Sequence, residues 1–130
     1  MIYKVFSEVP KERIAEELAT AAKEEGFGVL GSYPFREILE SKGFPIEREI
    51  TVYELCNPPG AQSALKQLPE ISVYLPCRLS LYEEGGQTVL ATIGFEDILG
   101  AVEVSDDLRR HFEELFLRLK KVMKHWSPES

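Results

Sequence analysis

The chain of 130 residues is short of the side chains on which most catalytic and metal chemistry draws, with two cysteines and two histidines in all. Zinc sites usually take four ligands, and only His111 and His125 could join the cysteines. Both histidines fall on a terminal helix without metal-ligand spacing, His111 on its solvent side beside Arg109 and Arg110, so neither a metal nor a cofactor is expected. There is no GxSxG, no phosphate-binding glycine loop, no GxGxxG and no HExxH. No apolar run approaches the length of about eighteen residues that a membrane span needs. The opening "MIYKVFSEVP" has no apolar segment behind a basic start, so a secretory signal is not expected. The expectation is a cytoplasmic protein with reduced thiols and no membrane partner. Positive charge is also scarce: 15 Lys and Arg against 22 Asp and Glu give a net charge of −7. That excludes a broad nucleic-acid surface, which needs clustered cations to displace counterions from phosphates. The one basic cluster, Arg118 to His125, suits a helix C-terminus.

What is present describes one domain of mixed structure, 1–130. "IYKVFSE" reads as a strand. Pro10 then suits a first helical turn, and Ile14, Leu18, Ala21 and Ala22 recur at helical spacing up to Gly26. "FGVLGSY" is a second strand, Phe35 to Leu39 a short helix ended by Gly43, and "ITVYELC" a third strand. Asn57 is a helix cap, Pro58 a first helical residue, and Ala61, Ala64, Leu65 and Leu68 a helical stripe closed by Pro69. Ile71, Val73, Leu75, Cys77, Leu79 and Leu81 alternate with polar residues, which predicts one long strand with an apolar face, edged or bulged at Pro76. "EEGG" makes a hairpin turn into a fifth strand, "QTVLATI", and "FEDILG" is a helical turn. Ser105 caps a long helix from Asp106 to about Trp126, whose Leu108, Phe112, Leu115, Leu119, Val122 and Trp126 stripe packs across a sheet. Hairpin strands with helices on one face make an α+β domain.

The two cysteines bracket the segment "CNPPGAQSALKQLPEISVYLPCR". Cys56 precedes a helix start, whose positive end favours a thiolate, although Pro58 and Pro59 remove two N–H groups that would face it. Cys77 continues an aliphatic row, as a buried inert cysteine does. Strand register leaves the two sulfurs anywhere from a strand's width to about 20 Å apart, whereas a bridge needs Cα atoms within about 7 Å. Arg78 points to the opposite sheet face from Cys77. Its planar guanidinium can fork onto a carboxylate or sulfur oxyanion, or pair with Glu54 or Glu83.

"YELCNPPGAQSAL" followed by "LPEISVYLPCRLSLYEEGG" resembles the domain-of-unknown-function 302 family: a Cys-Asn-Pro, an alanine and a leucine on a short helix, then Leu-Pro-Cys-Arg entering a strand. The matching positions are Cys56, Asn57, Pro58, Ala61, Leu65, Leu75, Pro76, Cys77 and Arg78, and "AAKEEGFGVL" resembles the family's entry into its second strand. The resemblance implies a TBP-like β-α-β(4)-α fold with inserted short helices, often a dimer, and carries no catalytic residues. "IGFEDI" departs from it, since relatives often place a proline there. Two function classes follow. One is a small-ligand-binding or assembly module, with Asn57 and Arg78 orienting a small ligand or a protein partner, a second copy included. The other is a thiol-based redox or sulfur-handling protein using Cys56 with Cys77. A third reading has both motifs purely structural.

Overall fold

In the computed structural model, which describes residues 1–127, five antiparallel strands form one sheet. The strands are β1 (Ile2–Ser7), β2 (Gly28–Pro34), β3 (Thr51–Cys56), β4 (Cys77–Glu84) and β5 (Gln87–Ile93), in the order β1-β5-β4-β3-β2. The helices are α1 (Lys11–Glu24), α2 (Phe35–Ser41), α3 (Pro58–Gln67), α4 (Phe95–Ala101) and α5 (Asp106–Met123). Without the inserted short helices this is the expected β-α-β(4)-α order.

Local chemistry sets most boundaries. Asn57 caps α3 by accepting from the Gly60 N–H at 2.8 Å, with prolines in the first helical positions. Ser105 caps α5 by accepting from the Leu108 N–H at 3.1 Å. Gly85 and Gly86, with φ of 59° and 81°, make the two-residue β4–β5 turn, where both central residues need positive φ.

Helices cover one face of the sheet. Strand alternation turns Val5, Leu55, Leu79, Leu81 and Leu90 toward Ile14 and Leu18 of α1 and toward Phe116, Leu119 and Val122 of α5. The other face carries Lys4 and Phe6 of β1, Arg78, Ser80 and Tyr82 of β4, and Ala91 and Ile93 of β5, as the cross-strand partners show. Ser7 anchors the end of the chain, its hydroxyl donating to the Trp126 carbonyl at 2.7 Å.

Two expectations need correction. The long strand from Ile71 does not form: Pro69–Tyr74 is a 3-10 helix, and β4 begins only at Cys77. Pro69 starts a helical turn readily, Pro76 has no N–H for a ladder, and Ile71 is buried in a satellite core with Ala64 of α3 and Leu108 of α5. Val73, inward-facing on the strand reading, is 78% exposed. His111 is also not on the solvent side. It packs against α3 where Gly60 has no side chain, and its Nε2 is buried without a hydrogen-bond partner among the described residues.

Candidate functional site

The ladder between β4 and β5 runs from Glu84–Gln87 only as far as Ser80–Ala91, whereas β5 stays paired with β1 through Ile93. Arg78 and Cys77 are therefore not paired with the end of β5. In place of a ladder bond the Thr92 hydroxyl donates to the Arg78 carbonyl at 2.7 Å. The early end of this ladder leaves a cavity of about 640 Å³ running from the open sheet face to the helical layer. Lys4, Arg78, Ser80 and Tyr82 line it on the open face, and Phe95, Phe112, Phe116 and Leu119 line its helical side. That volume lies within the range of about 300–1,000 Å³ usual for small-molecule sites.

Its charge is one-sided. Two cations and no Asp or Glu line it, in a chain whose net charge is −7. Lys4 makes no ion pair among the described residues. Arg78, 71% exposed, has only the cross-strand Glu54 carboxylate, 3.9 Å away. Glu54 is the more buried partner at 16% and also accepts from the Tyr33 hydroxyl at 2.7 Å, so it holds Arg78 loosely while staying outside the cavity. The Glu54 carboxylate raises the Tyr33 hydroxyl's pKa above its ordinary value, with burial adding to it. Lys4 and Arg78 stand two strands apart, on the order of 10 Å between backbones, a span that long side chains can close around one anion.

A second cavity of about 290 Å³ lies between the β2 edge and α3, lined by Leu30, Ala61, Leu65 and both cysteines. Leu75, Pro76, Cys77, Phe112 and Leu115 line both cavities and form the partition between them. Leu55 lies directly across from Cys77, which puts Cys56 one residue along on the neighbouring strand. The backbones of the two cysteines are thus about a strand's width apart rather than about 20 Å, and both residues are partly buried free thiols. Burial pushes the Cys77 thiol up from its ordinary value, and the Cys56 beside it adds to that. Cys77 is therefore poorly placed as the attacking thiolate.

Asn57 is occupied structurally. Its oxygen caps α3 and its amide donates to the Gly26 carbonyl at 2.9 Å, tying α3 to the turn after α1. A third, charged cleft also serves packing. There the Lys11 ammonium lies 2.9 Å from Glu12 and 3.2 Å from both Glu49 and Glu83, which join α1 to the loop before β3 and to the hairpin. Those carboxylates, Glu12 first, raise its pKa. Among the described residues no group of three or more His, Cys, Asp or Glu is arranged for a metal ion, and no helix is long and apolar enough to cross a membrane.

Of the four singled-out residues, the fold brings Cys56 and Asn57 to the small cavity, Arg78 to the large one and Cys77 to the partition between them. Sequence reasoning missed Lys4, whose signal was its outward position between Tyr3 and Val5 in the alternating first strand.

No curated protein matches the chain. A crystal structure of an uncharacterized conserved DUF302 protein from Bacillus stearothermophilus is similar, with a TM-score of 0.87 and 26% identity over 96% of this chain and 97% of that one. The family model described as domain of unknown function DUF302 matches residues 3–126. The chain belongs to that family.

Proposed function

We propose that the domain is a small-ligand-binding module whose ligand is an organic anion with an apolar body. The observation that carries this reading is the cavity of about 640 Å³ with Lys4 and Arg78 on its open side, aromatic and aliphatic side chains within, and no carboxylate on its wall. Arg78 would receive the anionic group as a fork and Lys4 as a point charge. The apolar body would replace water against Phe112, Phe116 and Leu119.

Octanoate is a suitable probe, titrated by calorimetry. Saturable binding at one site is expected. Arg78→Ala and Lys4→Ala should each weaken it about tenfold or more, since a hydrogen bond to a charged group is worth about 1.5–3 kcal/mol. Absence of saturable binding, or affinity indifferent to loss of both cations, refutes the proposal.

The thiol reading has one observation in its favour: Cys56 and Cys77 stand on adjacent strands at the wall of one cavity. The raised Cys77 thiol casts it as a resolving partner at most, a role that mild oxidation followed by mass spectrometry tests: a Cys56–Cys77 disulfide is expected, and its absence in the folded protein removes the reading. Exposed Ile2, Phe6 and Ile93 on the open sheet face support a second copy of the chain as partner, which sedimentation equilibrium would detect.

A further inference from the structure

The two cavities adjoin. Five residues, Leu75 to Cys77 with Phe112 and Leu115, line both, so one layer of side chains separates them. The larger cavity holds both cations at the open sheet face. The smaller has no charged side chain on its wall and reaches the surface beside Leu30 and Leu65, which are 65% and 41% exposed. A path from Arg78 through the partition to Ala61 thus begins cationic and becomes uncharged and mostly apolar, with Asn57 and Ser72 the polar side chains on the second wall. A compact anion such as a phosphate or a dicarboxylate would leave the second cavity unused.

We propose that the ligand is a soluble single-chain amphiphile, an unbranched carboxylate of roughly 12–16 carbons. Its head lies at Lys4 and Arg78, and its tail crosses between Leu75 and Phe112 into the cavity walled by Ala61 and Leu65. This rests on the anion-binding reading above and assigns the ligand class for the same site. The partition consists mainly of side chains that can change rotamer, so a chain can pass without movement of the sheet. The fit is by length. Octanoate held by its head at the cations stays within the first cavity, and carbons added beyond it reach toward the second.

The test is a chain-length series from octanoate to tetradecanoate, titrated below the critical micelle concentration. In the wild type each added methylene should tighten binding about threefold to fourfold. Ala61 lines only the smaller cavity, so Ala61→Phe plugs the tail path and leaves the cationic mouth alone. That variant should bind octanoate as the wild type does and lose the gain from longer chains. Leu65→Trp, at the partly exposed rim, makes the same test if Ala61→Phe does not fold. The proposal is overturned if tetradecanoate binds no tighter than octanoate, or if the gain survives a folded plugged variant. Capture by phosphatidylglycerol vesicles without binding of the free acid would assign the chemistry to a membrane lipid and overturn it too. Octanoate binding that depends on Arg78 but shows no chain-length gain leaves the anion-binding reading standing while this one fails. Loss of octanoate binding itself removes both.

Discussion

Gly60 offers a substitution whose sign separates local preference from packing. It lies in the first turn of α3, at a helical position where alanine is intrinsically favoured by about 1 kcal/mol. Considered as an isolated helix, Gly60→Ala should stabilise the protein. The fold argues otherwise. A β-carbon there would lie 2.7 Å from Leu115 Cδ1, 2.8 Å from Asn57 Oδ1 and 2.9 Å from His111 Nε2, all closer than real β-carbons come. Leu115 can turn aside at its far end. Asn57 is fixed by its bonds to the Gly60 N–H and the Gly26 carbonyl, and α5 holds His111 in place. Forcing a methyl into a packed contact costs about 1–3 kcal/mol, and loosening the cap adds up to about 1 kcal/mol. Set against the propensity gain, the net loss lies between about 0 and 3 kcal/mol, with a midpoint of about 1.5 kcal/mol. Urea unfolding should show a lowered midpoint at unchanged slope, and Tm should fall roughly 4 °C per kcal/mol in a domain of this size. Leu115→Ala in the same chain opens room for the new methyl, so the cost of Gly60→Ala should shrink by at least about 0.5 kcal/mol in that background. A Gly60→Ala protein more stable than the wild type would refute the close α3–α5 contact and with it one wall of the smaller cavity.

Asn57→Ala should cost about 1–2 kcal/mol, since it removes the cap and frees the Gly26 carbonyl; Asn57→Ser, which keeps a capping oxygen, should recover part of that in urea unfolding, and equal losses would show that the cap is not what stabilises α3. For Cys77 the sign follows from burial: the native state holds its proton more tightly than the unfolded thiol, near 8.5, so this contribution to stability is complete below that pH and is lost as pH rises through the raised value. Alkylation of native Cys77, followed by mass spectrometry against pH, should have its midpoint above 8.5, and Cys56→Ala should lower it only in part because burial is the larger cause; a midpoint below 8.5 contradicts the desolvated placement and would revive Cys77 as a nucleophile.

Much of the fold was legible because its signals are local. A proline that suits a first turn, an Asn or Ser before a helix and paired glycines between alternating runs each act on their own few residues, and α1, α3, α5 and the β4–β5 turn formed where those signals put them. The segment before Cys77 was not legible for a related reason. Ile71, Val73 and Leu75 satisfy period two, but six residues can also wind as a 3-10 turn. What decided between the two was a distant pocket on α3 and α5 that buries Ile71 fully and packs Leu75 at its side, leaving Val73 exposed. Register was likewise beyond reach: the sequence left Cys56 and Cys77 anywhere between a strand's width and about 20 Å, and the Leu55–Cys77 pair puts their backbones on adjacent strands, one residue out of register.

The site depends on the same kind of non-local fact. Composition states that acids outnumber bases, which argues against anionic partners if charge is taken as a sum. Register states where each charge goes. Lys4 is opposite Ala91, Ala91 is opposite Ser80, and Arg78 follows two residues along, so two cations share one patch of the open face. Glu54, one strand further out, offsets part of this at 3.9 Å from Arg78, while Glu12, Glu49 and Glu83 are drawn to Lys11. An acidic protein can thus carry a cationic pocket, because a bound ligand feels the charges within about a Debye length, roughly 8 Å at physiological salt, more than the total. On the proposed reading, the excess of acids outside it would act as a filter, repelling polyanions at long range while a small anion with an apolar chain enters.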